Sequence, residues 1–155
     1  MSGFSNEIIA SIINAGATIL IGLIVAYVSY KYNRNSSKME DDRLSKELFT
    51  EFNKRYDKIN HSLHKIEKEC KDLKDLGKNP KLESKLSDFF NLCAEEYYWY
   101  KKGRIDEFIW NAWSDGMNDW YNGVEIIKDA WDVEIEKRGC KSYYIKNKND
   151  FFKKI

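Results

Sequence analysis

The chain has 155 residues, a third of them charged, yet 26 basic and 25 acidic side chains leave a net charge of only +1. With a mean hydropathy of −0.66, the composition holds one apolar membrane crossing and excludes a chain of repeated spans. Cys70, Cys93 and Cys140 are odd in number and isolated, which excludes a disulfide framework and the paired spacings of a zinc site.

Ile8 to Tyr30 is an uncharged run of 23 positions. At about 1.5 Å per residue a helix of that length covers roughly 34 Å, enough for a hydrocarbon core of ~30 Å. The leader Met1 to Glu7 has no basic residue, the apolar run exceeds a signal-peptide core, and no small-x-small cleavage site follows. An uncleaved anchor is therefore predicted. Lys31, Arg34 and Lys38 follow the span and nothing basic precedes it. The positive-inside rule then puts the N-terminus outside and the larger part in the cytoplasm. The predicted organisation is 1–7 extracytoplasmic, 8–30 transmembrane, 31–39 a polar joint, and 40–155 a cytoplasmic helical domain.

Within the span, Ser11, Ala15, Thr18, Gly22, Ala26 and Ser29 fall within about 80° of one another on a helical wheel, with Ile12, Ile19, Leu20 and Leu23 opposite. Small residues let helices approach closely, and hydroxyls can bond across the contact. Asn14 flanks this face, and a carboxamide inside the apolar layer is expected to meet protein or water. The stripe reads as a face for self-association: it packs in a small oligomer and lines a narrow aqueous path in a ring.

Beyond the joint, Leu48, Phe52, Tyr56, Ile59, Leu63, Ile66, Cys70 and Leu73 recur at spacings of three and four, predicting one long amphipathic helix that stops at Leu76-Gly77-Lys78-Asn79-Pro80. Asn79 reads as the cap of the next helix, with Pro80 in its first turn. That helix carries Leu82, Leu86, Phe89, Cys93, Tyr97 and Tyr100 on one stripe and ends near Gly103. A third begins at Asp106, with Ile109, Trp110, Trp113, Met117 and Trp120 on one face, and breaks at Asn122-Gly123. A fourth, from about Val124 to Arg138, offers Ile127, Trp131 and Ile135. Phe151, Phe152 and Ile155 suit a short terminal helix docked on the rest. The fold class predicted is all-α, a transmembrane helix followed by an antiparallel bundle of about four helices.

Chemistry-bearing residues are few. Arg55 and His61 have the loose spacing of an Arg-x(4–6)-His ribonuclease site, in which His61 would move a proton and Arg55 would hold phosphate. His61 points away from the helix seam, so a shared pocket would need a second chain. Glu96 lies close to the apolar stripe of its helix while Glu95 faces solvent. A half-buried carboxylate needs a partner, and Arg55 is the candidate for a buried polar pair with Glu96, with Arg104 the alternative. No metal ligand set, cofactor motif or small-molecule substrate site is evident. From Lys137 onward seven basic residues face one Asp, a basic tail able to meet lipid headgroups or RNA.

The strings Leu48-Phe49-Thr50-Glu51-Phe52-Asn53-Lys54-Arg55-Tyr56-Asp57 and Phe90-Asn91-Leu92-Cys93-Ala94-Glu95-Glu96-Tyr97-Tyr98, with Gly103-Arg104-Ile105-Asp106 and Trp110-x-x-Trp113, resemble a family of small bacterial membrane-anchored proteins of unassigned activity. In length, single N-terminal span, helical cytoplasmic part and the Arg55/His61 pair, the chain is also similar to the accessory membrane proteins of type VI-B CRISPR systems. That resemblance implies a divergent HEPN-like domain, assembly into a membrane pore, a CRISPR ribonuclease or RNA as partner, and a role in antiviral defence. The leading expectation is a non-enzymatic, self-associating membrane protein that permeabilises or depolarises the inner membrane. The alternatives are a membrane-tethered HEPN-like ribonuclease and a module that recruits a soluble partner to the membrane.

Overall fold

The computed structural model describes the backbone of residues 2–153 and the side chains of residues 6–153. Among these residues every regular element is a helix: α1 (Ser2–Glu69), α2 (Leu73–Gly77), α3 (Pro80–Lys101), α4 (Glu107–Gly123), α5 (Glu125–Arg138) and a 3₁₀ turn at Cys140–Tyr143. The chain divides into two units, Met1–Arg43 and Leu44–Ile155.

In the first unit α1 contains a stretch of 18 residues with mean hydropathy 2.4, none of it buried, long and apolar enough to cross a membrane. The polar residues 31–39, expected to be a joint, are helical instead. Lys31 to Met39 contains neither Gly nor Pro, and side chains that merely prefer water do not interrupt a helix.

In the second unit the helix expected to run to Leu76 ends sooner, at Glu69. Asp72 diverts the chain: its carboxylate accepts from the Asp75 backbone N–H at 2.9 Å, while Asp75 accepts from the Lys71 N–H at 3.2 Å. These two bonds start α2 and compete with continuation of α1. Asn79 caps α3 by accepting from the Leu82 N–H, with Pro80 in the first turn. Asp106 caps α4 through the Phe108 N–H at 2.8 Å. Gly103, at φ 68°, lets the chain leave α3 while its own N–H reaches the Tyr100 carbonyl at 2.8 Å. The break between α4 and α5 falls on Val124 alone, which is extended at φ −124°.

The core follows the expected stripes. Phe52, Ile59, Leu63 and Ile66 of α1 are buried against Leu82, Leu86, Phe89 and Cys93 of α3, Trp110 and Met117 of α4, and Ile127 and Trp131 of α5. Helix α3 also buries Phe90, Leu92 and Ala94 beyond its single stripe, because it packs against both α2 and α4 and meets the 3₁₀ turn. Ser45 ties α1 to the α3–α4 loop by donating to the Arg104 carbonyl at 2.8 Å.

Residues 139–153 are more than a solvated basic tail. Tyr143, Ile145, Phe151 and Phe152 are buried, and the Trp131 indole N–H donates to the Lys148 carbonyl at 3.1 Å. Phe151 and Phe152 dock as expected, in bends rather than in a helix; Ile155 lies outside the described residues. Two of the basic side chains are engaged, Lys148 with Asp132 at 3.0 Å and Arg138 with Glu134 at 2.7 Å.

Candidate functional site

Two regions concentrate the residues that chemistry singles out, one in each unit. In the first, Ser11, Asn14, Ala15, Thr18, Gly22, Ala26 and Ser29 are all helical and exposed. The Thr18 hydroxyl donates to the Asn14 backbone carbonyl at 2.9 Å, the usual way a threonine satisfies itself within a helix. A Cβ placed on Gly22 would meet no heavy atom within 4 Å among the described residues. The Asn14 carboxamide makes no hydrogen bond among the described residues, while Asn53 and Asn118 spend theirs on carbonyls within their own helices.

In the second unit, one α-helical step separates two acidic residues with opposite fates. Glu95 stands at the surface, 36% exposed, and grips Arg55 with both oxygens: Nη1 donates at 2.6 Å and Nη2 at 3.0 Å. The guanidinium also lies 5.8 Å from the Phe52 ring centre. Hydrogen bonding to Glu95, opposed by partial burial, raises the Arg55 pKa above its ordinary value. The predicted buried pair of Arg55 with Glu96 is thus corrected: Arg55 pairs with Glu95. The reason is geometric, since a turn of about 100° per residue carries one neighbour to the rim beside the guanidinium and the other inward.

Glu96 is 6% exposed and makes no side-chain hydrogen bond among the described residues. Burial pushes its pKa up to about 8, with the attraction of Arg55 and the repulsion of Glu95 acting in opposite directions. Near neutral pH its protonated form is therefore favoured. Beside it Cys93 is fully buried; burial first, and the nearby Glu96 second, push its thiol well above the ordinary range, so it is no nucleophile. Both residues line a cavity of about 170 Å³ between α1, α3 and α4.

His61 is exposed and lines a shallow surface hollow with His64, Lys65, Lys68 and Glu69, a set that lacks Arg55. His64 packs edge-on against Trp120 at 4.8 Å and reaches Glu67 at 3.4 Å. Arg55 and His61 are thus not brought into one site within the chain, and Arg55 has both terminal nitrogens occupied. Among the described residues no cluster of His, Cys, Asp or Glu could hold a metal ion.

No family model, curated protein or solved structure matches the chain. The residues themselves carry the functional argument. Sequence reasoning located Glu96 but missed the cavity, whose walls come from three helices. The signals were Gly116 and Ala112, small side chains beside Trp113 on a face otherwise filled with large rings.

Proposed function

We propose that this chain is a non-enzymatic, single-span membrane protein that self-associates through the small-residue face of α1. In this reading the N-terminus lies outside the bacterial inner membrane, and the part beyond the span is a cytoplasmic antiparallel bundle of about four helices. The observation that carries it is Asn14. A carboxamide in the apolar layer with no partner among the described residues is unfavourable in lipid and is relieved by a second helix or by water. The exposed stripe beside it, from Ser11 to Ser29, has the small residues that close helix approach needs. A ring of such helices would turn Asn14 and the hydroxyls toward a narrow aqueous path, the basis for a permeabilising role in antiviral defence. The ribonuclease reading gains nothing from Arg55 held by Glu95.

The test is the mass of the detergent-solubilised protein by light scattering. The wild type is expected as a defined oligomer, and Gly22→Ile or Asn14→Leu as smaller species. A Cβ at Gly22 meets no heavy atom within 4 Å among the described residues. A wild-type monomer, or an oligomer that both variants leave intact, rejects the proposal.

A further inference from the structure

The cavity beside Glu96 has the make-up of a ligand site. Its walls are apolar and aromatic, with Phe89, Trp113 and Met117 among them, and its polar groups are Glu96, Asn53 and Tyr56. Ligand pockets commonly combine such walls with a few placed polar groups.

The Asn53 carboxamide donates one N–H to the Phe49 carbonyl at 2.8 Å, which leaves its oxygen and its second N–H to offer. The Tyr56 hydroxyl is already spent, accepting from the Trp120 indole N–H at 2.9 Å and donating to Asn60 at 3.3 Å. Glu96 contributes a buried carboxyl with no side-chain hydrogen bond among the described residues. The cation nearby, Arg55, has both terminal nitrogens on Glu95, so what an ionised Glu96 lacks in the cavity is a counter-ion. The charges agree: Glu51 and Glu95 already act on Arg55, so an ionised Glu96 adds to a surplus of negative charge. A cation beside Glu96 restores the balance, and aromatic walls favour organic cations.

Size sets the body of the ligand. A dry cavity of about 150 Å³ accommodates benzene, and this one measures about 170 Å³. We infer that the cavity between α1, α3 and α4 binds a small organic ammonium ion, an aromatic or compact alkyl body carrying one primary amine, with the amine held by Glu96 and Asn53. Binding transfers no bond except a proton: the ammonium enters charged, the neutral Glu96 carboxyl loses its proton to solvent, and an ion pair forms. The site is independent of self-association through α1.

Benzylamine is the probe, titrated calorimetrically at pH 7 into the full-length protein in detergent micelles, with empty micelles as blank. The titration is run in phosphate and in Tris, whose different ionisation heats reveal proton release. Expected are a Kd of about 1 mM or tighter, release of close to one proton, and binding of benzyl alcohol at least about tenfold weaker. Glu96→Gln is expected to abolish proton release and weaken benzylamine by about tenfold or more. Gly116→Leu supplies a check that spares the carboxyl: Gly116 lines the cavity and a Cβ there meets no heavy atom within 4 Å, so the added side chain is directed into that space. It should block binding while leaving the melting temperature unchanged or higher. Absence of benzylamine binding, equal binding of benzyl alcohol, or benzylamine binding that survives in a folded Gly116→Leu each overturns the inference.

Discussion

Glu95 and Glu96 are neighbours in α3, yet one carboxylate rests on a guanidinium at the rim and the other beside a cavity. The half-exposed pair with Arg55 is worth on the order of 1 kcal/mol, since solvent screens it. The larger effect belongs to Glu96. Its pKa rises on folding from 4.5 to about 8, so the native state holds a proton that the unfolded chain gives up. Stability from this group is full below pH 4.5 and is lost progressively as pH rises toward about 8. The loss is on the order of 5 kcal/mol. Glu96→Gln keeps the shape of the neutral acid and cannot ionise. The difference in urea midpoint between Glu96→Gln and wild type, measured in detergent, should therefore be small at pH 4.5 and widen in favour of the variant up to pH 8. A constant difference across that range would contradict the burial argument. The inward position of Glu96 was legible from the helical wheel, but its partner was not. Choosing between two adjacent carboxylates depends on where Arg55 of another helix arrives.

Helix ends were legible wherever a short polar side chain serves its own backbone. Asn79 and Asp106 were identified as caps from sequence, and each accepts the bond expected of it. Asn79→Ala should cost about 1 kcal/mol, seen as a lower urea midpoint with an unchanged slope. Asp72 went unread because it sits inside an apolar repeat that continues through Cys70 and Leu73, and periodicity outweighed the capping signal. The opposite error occurred at 31–39. Polarity suggested a joint there, but a stretch free of Gly and Pro has no backbone reason to leave the helix.

At the scale of the whole molecule, the last fifteen described residues show how far a segment without periodicity can matter. Phe151 and Phe152 sit among Trp131, Phe90, Tyr121 and Phe89, with Phe152 stacked on Tyr121 at 4.6 Å and edge-on to Trp131 at 5.2 Å. Asn118 clamps the segment from α4, donating to the Phe151 carbonyl at 3.1 Å and accepting from the Lys153 N–H at 2.6 Å. Phe152→Ala removes a fully buried ring and should destabilise by about 3–5 kcal/mol, measured as a shift of the denaturation midpoint. If this segment were only a solvated tail, the midpoint would stay within about 0.5 kcal/mol of wild type.

The sequence by itself determined what is local: the helical class, the apolar run able to span a membrane, the stripes that become the core and most of the caps. These follow from the side chains a residue meets one turn away. The tertiary structure decided the partner of Arg55, the docking of residues 139–153 and the cavity beside Glu96. Each depends on which distant side chains converge, and a space between three helices is a property of none of them alone.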